Sequence, residues 1–237
     1  KKNRRERKLS SFLLLLYFNL LFSKTQQELP GLEKYKLAPQ RGFEIRARDG
    51  LLLPSYLTIP PAWLAANESR NSSSSSPPPP PGRLPLVVVV RAQPWSRDSF
   101  GFTPAVQALA NLGAAVLQVN FRGSSGFGRA FVAAAANEWG RKMTEDLVDA
   151  VNWAVNDIRV ADPARVAVFG FSYGGYAALD ALTTHPETFR CAASLSGAAR
   201  FESSRTLNPP GWVSPPAAPG SEAAAASTIR SPLAASS

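Results

Sequence analysis

The run Val166-Ala167-Val168-Phe169-Gly170-Phe171-Ser172-Tyr173-Gly174-Gly175-Tyr176-Ala177-Ala178-Leu179 constrains this chain more than any other. Residues 166–169 are consecutively apolar and read as a buried strand; residues 173–182, rich in alanine and leucine, have helical composition. Between them, Gly170-x-Ser172-x-Gly174 leaves room for one tight turn. With no Cβ at 170 and 174, strand and helix can approach closely around a strained Ser172, whose hydroxyl is lifted out of the sheet edge. A helix starting directly after the serine turns backbone N–H groups toward any negative charge that develops there. A bare G-x-S-x-G arises by chance in chains rich in glycine and serine. A strand before it and a helix after it make this one read as a nucleophile elbow, with Ser172 as the candidate nucleophile.

The length of 237 residues suits one α/β domain with a sizeable core, and 45% apolar residues is ordinary for a globular protein. The net charge of +9 resembles a nucleic-acid signal, but its location argues otherwise: residues 1–8 carry +5, and the other 229 residues only +4. No basic stripe with interleaved aromatics runs through the body, so nucleic acid is not an expected partner. Cys191 is the sole cysteine and His185 the sole histidine. That leaves no disulfide framework and no metal-ligand cluster, and no cofactor is expected.

The basic head is followed by an apolar run at 12–22 with the shape of a signal segment. It is shorter than the roughly 20 residues a bilayer span needs, so it gives no firm membrane signal. No small-x-small cleavage site follows it, and the chain has no initiator Met. We therefore expect the run to be an edge that packed against a larger protein, and the setting to be intracellular; residues 9–22 as a signal segment would make it secretory. Residues 43–48 alternate apolar and charged, Asp49-Gly50 is a hairpin turn signal, and 51–59 supply the partner strand, ended by Pro60-Pro61. The low-complexity stretch 65–83, with five serines then five prolines, reads as an exposed insertion between strands. Residues 86–90 form a β-branched strand buried on both faces. A helix over 104–112, with Pro at its first turn and Gly113 as its stop, leads to a strand at 115–119. The glycines at 123, 126 and 128 fit neither G-x-G-x-x-G nor a P-loop, and residues 120–128 read as a winding loop. Apolar residues recur at helical spacing from Met143 to Ile158, predicting an amphipathic helix over 144–157; its polar face, including Glu145, Asp146 and Asp149, reads as solvated. A last short strand is expected at 191–195, and disorder over 208–237. The β-α-β-α-β-α-β pattern from 86 onward implies a mainly parallel sheet flanked by helices, with the hairpin adding antiparallel strands at one edge.

Four blocks in order carry a resemblance. Arg48-Asp49-Gly50 with Leu57-Thr58-Ile59-Pro60 comes first, then Pro94-Trp95-Ser96-Arg97-Asp98-Ser99-Phe100-Gly101. Gln118-Val119-Asn120-Phe121-Arg122-Gly123-Ser124 with Glu138-Trp139-Gly140 follows, and the elbow closes the set. Residues 41–197 resemble the catalytic domain of the prolyl oligopeptidase family of serine peptidases, in its acylaminoacyl-peptidase-like and dipeptidyl-peptidase-like branch. The resemblance implies an α/β-hydrolase fold, an oligopeptide substrate, Ser172 as nucleophile and the backbone N–H of Tyr173 as first oxyanion donor. It also implies that 22–40 are the end of a β-propeller and its linker. The family has His-Gly-Gly-Pro where this chain has Arg91-Ala92-Gln93-Pro94, so the second oxyanion N–H falls to Gln93, or alternatively Ala92. A side chain there is costly if the backbone needs positive φ.

Serine attack on an acyl carbon also needs a base and a group that orients it. After Ser172 the carboxylates are Asp180, Glu187, Glu202 and Glu222, and the one imidazole is His185. His185 lies at the far end of the elbow helix, about 20 Å from Ser172 at the helical rise, and cannot serve. We therefore expect a chain that ends before the triad Asp and His, with a sheet incomplete on its C-terminal side and an oligomer formed through the open edge. The domain organisation expected is a head and linker over 1–40, a catalytic domain over 41–200 and a tail over 201–237. The expected function is serine-type peptide hydrolysis through an acyl-enzyme on Ser172. A carboxylesterase of the same fold, and a non-catalytic remnant acting as a binding module, stand as alternatives.

Overall fold

A computed structural model describes residues 31, 34–71 and 82–198. The apolar run at 12–22, most of the serine-proline tract and the tail from 201 lie outside the described residues. Strand β1 (Gln40–Arg46) and strand β2 (Leu52–Thr58) form an antiparallel hairpin closed at Asp49-Gly50. Helix α1 (Pro61–Asn71) follows, then β3 (Leu84–Val90), α2 (Pro104–Asn111), β4 (Ala115–Val119) and the short α3 (Arg129–Ala133). Helix α4 (Lys142–Asn152) runs on into a π-helical turn, Trp153–Asp157, and is followed by β5 (Ala161–Phe171), α5 (Tyr173–Thr184) and β6 (Cys191–Leu195).

The six strands make one sheet in the order β1-β2-β4-β3-β5-β6. Strands β4, β3, β5 and β6 are parallel, and the hairpin joins β4 through the antiparallel pair β2–β4. All five residues of β4 are buried. On β3, Leu84, Leu86, Val88 and Val90 are buried while the residues between them are half-buried, so helices cover its two faces unequally. The expected spacing on α4 holds: Met143, Leu147, Ala150 and Val151 face the core, with Ala154 in the turn beyond.

Two expectations need correction. Helix α1 overlaps the stretch read as an irregular insertion from 65; Pro61, read as a strand breaker, is also the residue type best suited to a helix's first position, where no N–H is needed. The polar face of α4 is not simply solvated. Asp146 is fully buried against Arg122, and Asp149 takes a fork of hydrogen bonds from Arg48, with Nε and Nη2 at 3.0 and 2.8 Å from Oδ1. Both partners come from distant loops, which periodicity along one helix cannot reveal.

Candidate active site

Strand order fixes where the site forms. From β3 the chain passes to β4 on one side and then to β5 on the other, so β3 and β5 flank the point where the winding reverses. Open α/β sheets bind ligands at that point, beyond the carboxyl ends of the strands. Val90 pairs with Gly170 at those ends, so the loop after β3 and the turn after β5 emerge side by side.

Ser172 sits at the apex of the second. It is exposed, with φ 50° and ψ −115°, a strained conformation for a non-glycine residue. Its N–H donates to the Leu195 carbonyl at 2.9 Å, and its carbonyl accepts from the Tyr176 N–H at 3.1 Å. The hydroxyl makes no capping bond to its own helix. The flanking glycines play the steric part expected of them. A Cβ on Gly170 would overlap the Gly174 carbonyl, and one on Gly174 would overlap the Val90 carbonyl.

The Tyr173 side chain points the opposite way, into the core. Its ring packs against Trp139 with centroids 4.7 Å apart and against Phe121 at 5.9 Å, and its hydroxyl reaches Met143 Sδ at 3.8 Å. Burial pushes its phenol far above the usual range. Burial, with Asp180 close by, pushes Tyr176 up to about 12, so neither phenol is an acid-base group near neutral pH. This aromatic block anchors the first turn of α5 and so holds the elbow rigid.

The loop after β3 is built on Arg91, a residue whose role sequence reasoning missed. Its side chain is 8% exposed. Nη1 lies 3.4 Å from Asp98 Oδ2 and 3.2 Å from the Val119 carbonyl; Nη2 bonds Ser124 Oγ at 2.7 Å and the Pro94 carbonyl at 3.0 Å. Nε donates to the Gln93 carbonyl at 3.1 Å, and the guanidinium lies 3.9 Å over the Phe121 ring. Burial pulls Arg91 down and pushes Asp98 up, each opposed by the other's charge. Behind Asp98 the network runs through Gln118 to Gln40, whose Oε1 accepts from the Gly101 N–H at 2.8 Å. The signal available in the sequence was a cation placed directly after the buried strand, with Asp98 seven residues on.

Beneath the loop after β4, Arg122 spans Asp146, at 2.7 Å, and Asp49, at 2.9 Å. Burial works against its charge, but these hydrogen bonds outweigh burial and hold the guanidinium above its usual range. The same bond holds the Asp49 carboxyl below the usual carboxylate range.

The other ionisable groups near the elbow in sequence are engaged elsewhere. His185 caps the far end of α5, about 18 Å along that helix, with Nδ1 3.4 Å from Glu187. Asp180 accepts from Thr144 Oγ1 at 2.6 Å, tying α5 to α4. Gln93 and Ala92 are exposed beside the elbow, where the Tyr173 N–H donates to the Ala92 carbonyl at 3.3 Å. Among the described residues no group of three or more His, Cys, Asp and Glu is placed to hold a metal ion, and no helix is long and apolar enough to cross a membrane.

This arrangement has known counterparts. Residues 100–211 match the prolyl oligopeptidase family. The chain is 43% identical over 185 residues to dipeptidyl aminopeptidase BIII of Pseudoxanthomonas mexicana, covering 78% of this chain and 25% of that protein. It is 41% identical over 198 residues to dipeptidyl peptidase family member 6 of Caenorhabditis elegans, covering 81% and 26%. The chain thus spans about a quarter of the length of the curated relatives it matches. Among solved structures, a puromycin-hydrolyzing peptidase of Mycobacterium tuberculosis is 28% identical with a TM-score of 0.62, over 79% of this chain and 28% of that one. An acylaminoacyl peptidase of Pyrococcus horikoshii shares the fold, with a TM-score of 0.63 at 23% identity over 76% and 27% of the two chains. The mixed sheet with its flanking helices is an α/β-hydrolase fold, and over residues 100–211 this chain belongs to the prolyl oligopeptidase family.

Proposed function

We propose that this chain carries the nucleophile of a serine-type peptidase, with short peptides as substrates. The observation that carries the reading is the strained, exposed Ser172 at the sheet's winding reversal, held there by two glycines at which any Cβ would overlap neighbouring backbone. In the reaction, Ser172 Oγ bonds to the substrate carbonyl carbon as its proton passes to a base. The carbon–nitrogen bond then breaks, the departing amine takes that proton, and water later hydrolyses the acyl-serine ester. The backbone N–H of Tyr173, with that of Gln93 beside it, is the proposed receptor for the oxyanion. His185 is engaged at the far end of α5, too far from Ser172 to serve as that base. The domain limits we propose remain 1–40, 41–200 and 201–237.

Peptides are favoured over esters because the relatives that match most of the chain are named dipeptidyl peptidases. The outer edge of β6 has no partner strand among the described residues, and pairing of two copies there is the oligomer we propose. The test of substrate class uses the native protein, isolated with an antibody against α4 and offered dipeptidyl amides and short-chain esters. Amide turnover that disappears in Ser172→Ala is expected. Turnover of esters alone would replace the peptidase reading with a carboxylesterase, and turnover of neither would leave a binding module.

A further inference from the structure

The Tyr173 N–H, which the proposed reaction needs, is already engaged by the carbonyl oxygen of Ala92. The 92–93 peptide is planar and trans, so its two polar ends point in opposite directions. With the Ala92 carbonyl turned toward the elbow, the Gln93 N–H is turned away from it. One peptide thus fills the first oxyanion donor and withdraws the second.

The neighbouring groups are fixed. The Gln93 carbonyl accepts from both Arg91 Nε, at 3.1 Å, and Ser96 Oγ, at 2.9 Å, and the Pro94 carbonyl accepts from Arg91 Nη2. Arg91 is itself clamped by Val119, Ser124, Asp98 and the Phe121 ring. Ala92 and Gln93 are exposed, so nothing packed around them blocks a rotation of the single peptide between them. A half-turn of a peptide plane swings φ of the following residue from negative to positive, as between type I and type II turns. Neither Ala92 nor Gln93 has positive φ here, and a side chain at 93 resists acquiring it where glycine would not.

We infer that the Ala92–Gln93 peptide is a switch over the elbow, closed with its carbonyl on the Tyr173 N–H and opened by turning that one peptide, with Arg91 as the positioning residue that confines the turn to it. The inference rests on the reading of Ser172 as nucleophile and adds a gate to it. In the open state the Gln93 N–H replaces the Ala92 carbonyl, and two donors face the oxyanion.

The test follows two rates on the native protein: deuterium exchange of the Tyr173 amide, and phosphonylation of Ser172 by a fluorophosphonate, both read by peptide mass. The reagent's phosphoryl oxygen needs the same donors as an oxyanion. In Gln93→Gly both rates rise roughly tenfold. In Gln93→Ala both stay near wild type, because any Cβ meets the same strain. Arg91→Lys keeps the charge and loses the fork, so amide exchange rises with no gain in phosphonylation. Equal gains in both rates there would overturn the positioning role. Unchanged Tyr173 exchange in Gln93→Gly would overturn the switch. Faster exchange with no adduct on Ser172 in any variant would overturn the nucleophile reading, and the gating role with it.

Discussion

At the scale of single residues, the elbow shows how little tolerance the candidate site has. Adding a methyl group at Gly174 drives it into the Val90 carbonyl, a backbone atom of the central strand that cannot yield locally. Gly174→Ala is therefore expected to cost about 2–3 kcal/mol, lowering the thermal midpoint by roughly 5 °C or more. A change within 1 °C would show that strand and helix are less tightly apposed. Arg122 makes a second case. Removing its buried partner with Asp146→Ala leaves the buried guanidinium only the exposed Asp49 as counter-charge, expected to cost about 3 kcal/mol in a urea titration. Asp49, bonded to the same guanidinium, gives this pair a pH dependence. Its carboxyl lies below the ordinary value, so near pH 4 the native state binds fewer protons than the unfolded chain. Its contribution is complete above about pH 4 and is lost as pH falls through the depressed value. The thermal midpoint should fall on acidification below about pH 4, and Asp49→Asn should remove part of that fall. Gly170, Ser172 and Gly174 were legible in the sequence because an elbow is local: five residues specify it. Arg91 was not, since three of its six partners, Val119, Phe121 and Ser124, come from the end of β4 and the loop after it, which reach Arg91 only in the fold.

Among the elements, the parallel core was legible and the attachments were not. Strands β3, β4 and β6 and helix α5 lie where runs of β-branched, apolar or alanine-rich residues placed them, because hydrophobic periodicity reports the core-facing side directly. Periodicity says nothing about what a polar face touches. Helix α4 presents three polar residues to three different elements: Asp146 to Arg122, Asp149 to Arg48 and Thr144 to Asp180. The helix is thereby pinned to the loop after β4, to the hairpin and to α5, the element that begins at Ser172. Thr144→Val keeps the shape and deletes the bond to Asp180. It should cost about 1 kcal/mol, since a half-buried acceptor then loses a partner, whereas Thr144→Ser should stay within about 0.5 kcal/mol of wild type. Equal effects of the two variants in a urea titration would show that the bond carries no weight. Helix α1 was missed because Pro60-Pro61 signals both the end of a strand and the start of a helix, and the choice between them depends on the residues that follow.

For the molecule as a whole, a sheet with β4 and β3 at its centre and β1 and β6 at its edges sets a gradient of local stability. Backbone amides of β3 should be among the slowest to exchange, while amides on the outer side of β6 exchange quickly. Protection of β6 equal to that of β3 would mean that something covers the edge, as pairing of two copies would. The central claim is narrower than any activity of the whole protein: Ser172, raised by its elbow at the reversal of the sheet, is a nucleophile. The most direct measurement treats the native protein with a fluorophosphonate and locates the adduct by peptide mass. The account predicts one adduct per chain, on Ser172, absent from Ser172→Ala and from protein unfolded before treatment. An unmodified Ser172, in a sample where other serine hydrolases are labelled, would contradict it.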